Sequence, residues 1–236
     1  MANLLHIKDL RFGWKSEPDF LVLPEFQMAP QDTVFLEGES GSGKSTLLGL
    51  ITGVLSPRSG EILFCDQDMT TLSAGQRDRL RADQMGVIFQ LFNLLPYLGV
   101  IENVTLPCRF SKRRRSRATA KGLSLEAEAR RLLARLGLED EKLFSRPVSD
   151  LSVGQQQRVA AARALIGSPG LIIADEPTSA LDTDHRDRFL TLLMEEAEAA
   201  HAGLLFVSHD RSIGERFDRH VSLKDLNAAG KTEANA

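Results

Sequence analysis

Cysteine is scarce. The 236-residue chain carries two, Cys65 and Cys108, far apart and outside any CxxC or Cys/His spacing. That argues against a disulfide framework or a zinc site and fits a reducing compartment. Charge imbalance is missing as well: 29 Lys and Arg face 32 Asp and Glu, a net −3. Such a balance gives no general pull toward nucleic acid or an anionic membrane. Long apolar runs are absent, since Leu47 to Leu55 falls far short of the ~20 residues that cross a bilayer. Met1 to Asp9 has no basic start followed by an apolar core, so no secretory leader is expected there. No internal repeat is visible.

What is present is an alternation. Val87-Ile88-Phe89, Leu171-Ile172-Ile173-Ala174 and Leu204-Leu205-Phe206-Val207 are short runs, apolar on both faces, bounded by polar turns. Strands buried in a mostly parallel sheet read this way. Helical patterns lie between them, at Glu126 to Leu136, Gln155 to Ile166 and Asp187 to Ala200. Together they predict an α/β layer fold. Residues 4–10, 20–29 and 60–65 look like antiparallel strands, forming an N-terminal β subdomain. The stretch from about 91 to 160 reads as a helical insertion. One domain over 1–226 is expected, with 227–236 a small, polar and mobile tail.

Gly38-Glu39-Ser40-Gly41-Ser42-Gly43-Lys44-Ser45-Thr46 matches G-x-x-x-x-G-K-[ST]. Glycines at these positions let backbone N–H groups approach phosphate oxygens. The apolar Thr33 to Leu36 precedes the run and the helical Leu47 to Ile51 follows it. A flexible Gly/Ser loop that happens to carry a lysine lacks that strand-and-helix setting. Lys44 would reach the terminal phosphates, and the Ser45 hydroxyl would ligate Mg²⁺. Asp175 and Glu176 close an apolar strand, Asp175 placed to hold Mg²⁺ and Glu176 to polarise an attacking water. By itself such a pair is also a common exposed acidic turn. Gln90 and His209 likewise end apolar runs, on the sheet edge where open α/β folds bind ligands. His209 could donate to a γ-phosphate oxygen, and Gln90 could reach both Mg²⁺ and the water. A lone Gln or His there is as often structural.

In this order the elements resemble the nucleotide-binding subunit of ATP-binding cassette (ABC) transporters, from about residue 4 to 225. They are the phosphate loop at 38–46, Gln90, Leu151-Ser152-Val153-Gly154-Gln155, the acidic strand 171–176, Ser179-Ala180-Leu181-Asp182, and His209. The run at 151–155 resembles the family's signature, which most phosphate-loop enzymes lack. The resemblance implies a P-loop NTPase core with the signature on the helical insertion, ATP and Mg²⁺ as ligands, and Glu176, His209 and Gln90 as the hydrolytic residues. It also implies a homodimer packed head to tail. Ser152, Gly154 and Gln155 would then serve the nucleotide on the other subunit's phosphate loop, and Asp182 would cross the interface. The signature departs from LSGGQ at Val153. A β-branched residue would be strained at positive φ, but costs little in a helical backbone. Phe12-Gly13-Trp14 stands where the family stacks adenine on an aromatic, so Trp14 either stacks the base or packs in the β-rich region.

A cassette without membrane spans borrows them or works without a membrane. Residues 87–98 are more apolar than a solvated loop, and Phe92 and Leu95 are expected to help form a groove for a permease helix near 90–98. With Gly99 to Pro107 and the signature helix, this segment is similar to the cassettes of lipoprotein release, macrolide export and the cell-division complex. The resemblance implies a place at the cytoplasmic face of the inner membrane, peripheral through a permease. The alternative is a soluble cassette in an assembly complex. Lys112-Arg113-Arg114-Arg115-Ser116-Arg117 reads as a solvated face or as a contact with lipid headgroups. No aromatic interleaves it, so nucleic acid is not expected as a partner.

Overall fold

The computed structural model describes residues 3–229 apart from 16, 121, 145 and 180. Along the chain run β1 (Leu5–Phe12), β2 (Leu21–Met28), β3 (Thr33–Glu37), α1 (Lys44–Ile51), β4 (Ser59–Phe64), β5 (Gln67–Asp68), α2 (Ala74–Gln84) and β6 (Met85–Ile88). Then come α3 (Val100–Thr105), α4 (Pro107–Phe110), α5 (Lys112–Ala118), α6 (Leu125–Arg135), α7 (Glu141–Phe144) and α8 (Val153–Leu165). The chain ends with β7 (Leu171–Asp175), α9 (Thr183–Ala199), β8 (Gly203–Ser208), β9 (Arg219–Ser222) and α10 (Leu223–Leu226). Contacts divide it into two compact units, one reaching up to Arg81 and resuming at Leu205, the other running from Ala82 to Leu204.

In the first unit β1 lies at the centre of an antiparallel sheet ordered β2-β1-β4-β5, which accounts for the early strand-like segments. Alternation alone would send Leu5 and Ile7 to one face and Leu10 and Phe12 to the other. All four are buried, because the pairing with β4 shifts between Lys8 and Arg11, where Asp9 has φ 46°. This bulge returns the apolar side to the core. Gly60 in β4, at φ 92°, makes room for it, since a Cβ there would overlap the Asp9 carbonyl.

The same unit holds β3, paired in parallel with β9 from Val34↔Arg219 to Glu37↔Ser222 and flanked on its other side by β8. Phe35 packs against Phe206 and Phe217 with ring centroids 6.4 and 5.6 Å apart. Residues 227–229 differ from the expected mobile tail. The Asn227 side chain accepts from Val22 N–H at 2.9 Å and donates to Phe20 O at 3.1 Å, and Ala228 N–H donates to Val22 O at 2.8 Å. The segment is therefore tied to β2, and residues 230–236 lie outside the described residues.

In the second unit β6 pairs in parallel with β7, from Met85↔Leu171 to Ile88↔Ala174. Between these strands come helices α3 to α8 and, among the described residues, no further strand, only the isolated bridge Gly99↔Pro147. Helix α8 packs on β6 and against α3 and α6. Its close approach depends on Gly86, where a Cβ would overlap the Ala164 carbonyl.

The basic run is not simply a solvated face. Arg114, in α5, is buried, and its guanidinium donates to Ile166 O at 2.8 Å, Ala164 O at 2.6 Å, Met85 O at 3.2 Å and Arg163 O at 3.3 Å. It thus satisfies carbonyls at the C-terminal end of α8 that the helix cannot pair itself. Burial pulls its pKa down to about 10, so it stays charged at neutral pH. Lys112, Arg113, Arg115 and Arg117 remain exposed. Replacing Arg114 by Met should strand these carbonyls and cost about 3 kcal/mol in chemical denaturation. Lys112→Ala or Arg115→Ala should change stability by less than about 0.5 kcal/mol. Equal effects of the three would contradict the capping role.

Candidate active site

The phosphate loop belongs to the first unit and links β3 to α1. Gly41 at φ 79° and Gly43 at φ 101° turn the chain through the left-handed region, and no side chain caps the start of α1. Lys44 Nζ folds over the loop, donating to Gly38 O at 2.5 Å and Glu39 O at 3.0 Å. Ser42 Oγ is buried and makes no hydrogen bond. Ser40 and Ser45 are exposed, and Thr46 is half-buried in the first turn of α1. Open amides at a helix start, a buried hydroxyl with bonding capacity to spare and an ammonium over the loop together form a cradle for an anion.

Beside this cradle, Gly38 N–H donates to Ser208 O at 3.4 Å, bringing the end of β8 and the exposed His209 next to the loop's first residue. Glu37, the last residue of β3, accepts from Arg211 Nε at 2.6 Å and Nη2 at 2.5 Å through Oε1, and its Oε2 lies 2.9 Å from His220 Nε2. Burial works against the charge on Glu37, but the hydrogen bonds from Arg211 and His220 outweigh it and hold the carboxyl below the usual range.

Trp14 is exposed and meets Phe12 edge-on at 5.1 Å. Sequence reading missed Phe20. Its ring edge lies 2.9 Å from where a Cβ on Gly43 would stand, so it covers the phosphate loop from the β2 side. The sole signal for it was an aromatic just ahead of an apolar strand, which has no distinct meaning.

In the second unit Gln90 is exposed just beyond β6. The loop after it is pinned from beneath. Phe92 and Asn93 stand at φ 58° and 48°, and their carbonyls accept from Arg163 at 2.5 and 2.7 Å. The Asn103 side chain accepts from Leu95 N–H at 2.8 Å and donates to the carbonyls of Leu95, Leu98 and Gly99, each at 3.1 Å. The expected apolar surface is there but made by other residues. Phe92 turns inward and Leu95 is half-buried, while Leu91 and Tyr97 are 83% and 78% exposed.

The signature forms the start of α8. Ser152 is the N-cap: its Oγ accepts from Gln155 N–H at 3.4 Å, and Gln155 Oε1 accepts from Ser152 N–H at 2.9 Å. This is a capping box, so the Gln155 side chain is occupied in closing its own helix. Val153 is the first helical residue and lies outside the left-handed region, so valine costs only a little helix propensity there. Gly154 also lacks a positive φ, and a Cβ on it would meet nothing within 4 Å.

Asp175 ends β7 half-buried, and the buried Glu176 follows at φ 46°, in a region that a non-glycine residue enters at a cost. The buried Gln157 of α8 donates to Pro177 O at 2.9 Å, joining the signature helix to the turn after Glu176. This link too was missed in the sequence. Asp182 caps α9, accepting from His185 N–H at 2.9 Å and lying 2.9 Å from the His185 ring. Those two hydrogen bonds, the backbone one first, hold its carboxyl below the usual range. Ala180 of the same motif lies outside the described residues.

A family model described as ABC transporter matches residues 24–179. Two relatives from Mycobacterium tuberculosis strains, the uncharacterized ABC transporter ATP-binding proteins MT1014 and Rv0986, are each 40% identical over 200 residues, 84% of this chain and 77% of theirs. A dimeric, post-hydrolysis structure of the ATP-binding cassette MJ0796 bound to ADP and Pi is similar at TM-score 0.78 and 31% identity. It matches over 94% of this chain and 95% of that one. The cbiO1 protein of Clostridium perfringens, part of the ABC transporter complex cbiONQ, has TM-score 0.72 and 26% identity, covering 89% and 80%. The chain belongs to the ABC transporter ATP-binding family: it is an α/β cassette that binds ATP and hydrolyses it.

Proposed function

We propose that the chain is the ATP-binding subunit of a transporter, in which two copies close head to tail over ATP and reopen on hydrolysis to drive a separate membrane permease. Residues 1–226 act as one ATPase domain on this reading. The observation that carries it is the start of α8. Ser152 and Val153 are exposed, and a Cβ on Gly154 would touch nothing in its own chain, so the bare glycine serves a surface outside this subunit. An exposed helix start, whose Ser152 hydroxyl accepts from Gln155 N–H but can still donate and whose Val153 and Gly154 amides stand outside the capping box, fits a γ-phosphate held by the other subunit's phosphate loop. The dimeric cassette structures similar to this chain support the arrangement.

Each site residue then has a role. Lys44 neutralises the β- and γ-phosphates, while amides of the loop other than that of Ser42, which donates to Glu39 O, and the Ser42 hydroxyl donate to their oxygens. Ser40 and Thr46 complete the loop. Ser45, Asp175 and Gln90 offer hard oxygen donors of the kind Mg²⁺ takes. The metal would offset charge developing on the phosphoryl oxygens. Glu176 orients the attacking water and draws on its proton, and His209 donates to a γ-phosphate oxygen. Ser152 and Gly154 approach the same phosphate from the second subunit. Gln155 keeps their helix start in shape, and Asp182 crosses toward the partner's loop. Trp14 stacks the adenine.

No described helix is long and apolar enough to cross a membrane. Leu91 and Tyr97, exposed on a loop pinned by Asn103 and Arg163, suit a short apolar helix of a permease. The subunit would sit at the cytoplasmic face of the inner membrane, held there through that partner. The run from 87 to 107 favours the branch of lipoprotein release, macrolide export and cell division.

Three measurements test the reading. Glu176→Gln should keep ATP affinity, lower turnover by about 100-fold or more and accumulate an ATP-bound dimer in size-exclusion chromatography. Parent turnover in that variant would remove Glu176 from the chemistry. As the sole tryptophan in the chain, Trp14 should change its fluorescence as ATP binds. A silent signal at saturating ATP would move the stacking role elsewhere. With Cys65 and Cys108 removed, Ser42→Cys combined with Ser152→Cys should crosslink two chains in the presence of ATP. Crosslinks confined to single chains would rule out the head-to-tail dimer.

A further inference from the structure

We infer that Glu37 is a positioning residue for hydrolysis: it locks the His209 loop to the strand that delivers the phosphate loop. The inference rests on the role proposed above for His209. Glu37 is joined covalently to Gly38, so partners that fix its side chain also help to fix the backbone at the cradle's first residue. Its two oxygens are divided between partners from different segments. Oε1 takes Arg211 Nε at 2.6 Å and Nη2 at 2.5 Å, and Oε2 faces His220 Nε2 at 2.9 Å on β9.

Arg211 lies two residues beyond His209, and the chain between them is stiff. Asp210 N–H donates to Ser208 Oγ at 3.2 Å, and Asp210 Oδ1 accepts from Ser212 N–H at 3.0 Å and Ser212 Oγ at 2.6 Å. A pull on Arg211 is therefore transmitted to His209. Where the paired strands β3 and β8 end, the last backbone link between the two segments, Gly38 N–H to Ser208 O, is long at 3.4 Å, so the sheet pairing alone holds the loops beyond it loosely. Glu37 is 13% exposed at its side chain and Arg211 76%, so the covered carboxylate is the fixed end of the clamp and the guanidinium is the arm. His220 secures the fixed end from below. Its ring packs edge-on against Phe35 at 5.0 Å, within the aromatic core under β3.

A displacement of under an ångström at a group that must meet a phosphate oxygen suffices to lower turnover without touching affinity. Glu37→Gln and Arg211→Met should therefore each lower kcat for ATP about tenfold. ATP Kd measured by titration should stay within about twofold, because the Lys44 loop is intact. The double variant should be no slower than either single one, since both break one clamp. Arg211→Lys, which keeps the charge, should recover part of the rate. Should Glu37→Gln fold poorly, Arg211→Met tests the same clamp from its exposed side. His209→Ala is the reference for the underlying reading. If it is inactive while Glu37→Gln and Arg211→Met turn over at the parent rate, the clamp is wrong and the His209 assignment stands. If His209→Ala keeps the parent rate, the His209 assignment fails and positioning through it fails with it. A loss of ATP affinity equal to the loss of kcat in the clamp variants would make Glu37 a support of the phosphate loop alone, and would overturn the inference.

Discussion

A helix presents its first turn at a fixed place when its other end is held, and in α8 one guanidinium holds it. Arg114 gathers carbonyls from Arg163, Ala164 and Ile166, and it also takes Met85 O, at the first residue of β6. The arrangement requires two close approaches that side chains would block. Gly86 lets α8 press against β6, and Gly167, at φ 71°, lets the chain leave the helix where a Cβ would lie 2.5 Å from Arg114 O. Burying a guanidinium is costly unless its donors are used, and here neutral carbonyls use them with no carboxylate among its bonding partners. Further along the helix Gln157 reaches Pro177 O, so α8 also registers the turn that carries Glu176. The signature-like start at one end and the Glu176 turn beside the middle are thus both held by one fixed helix.

Glycine does different work in the phosphate loop and in the signature-like run. In the phosphate loop it is a backbone requirement, because Gly41 and Gly43 occupy the left-handed region. Gly43 is doubly constrained, with the Phe20 ring where its side chain would be. In the signature neither Val153 nor Gly154 has such a backbone. Valine is therefore tolerated at the first of these positions, and nothing in its own chain requires the glycine at the second, where a Cβ would meet nothing within 4 Å. The departure from LSGGQ is in this light a change on an exposed helical residue.

Most of the chemistry-bearing groups were legible because they are local. A phosphate loop, an acid pair at a strand end and a helix N-cap are each specified within ten residues, by spacing and by the apolar runs around them. The placement of β7, β8, α6, α8 and α9 followed from the same periodicities, whereas α2, with no buried residue to mark a face, did not. What escaped was set by partners remote in sequence. Glu37 and Arg211 stand 174 positions apart, Arg114 and Ile166 stand 52 apart, and nothing near either announces the other. A run of four exposed cations conceals a buried one, because a charged stretch and a helix with one inward arginine share a composition. At 90–98 the apolar content was read correctly, but which side chains face outward depends on two left-handed residues, Phe92 and Asn93, that no hydrophobic pattern encodes.

The anchored end of the chain follows the same logic. A segment that is small and polar reads as mobile, since it has no apolar surface to bury. Asn227 needs none, because one amide side chain supplies an acceptor to Val22 N–H and a donor to Phe20 O at the edge of β2. Ala228 N–H on Val22 O extends the pairing. These bonds fall on the residues that open β2, and Phe20 is the residue whose ring covers Gly43 in the phosphate loop. Asn227 reaches back 207 positions to do this, which no local pattern could have revealed. The chain's described C-terminal end is in this way one peptide unit removed from an aromatic that bounds the cradle. The short-range motifs supply the phosphate loop, the acid pair and the start of α8, and long-range hydrogen bonds from Arg114, Arg211 and Asn227 tie down the segments around them.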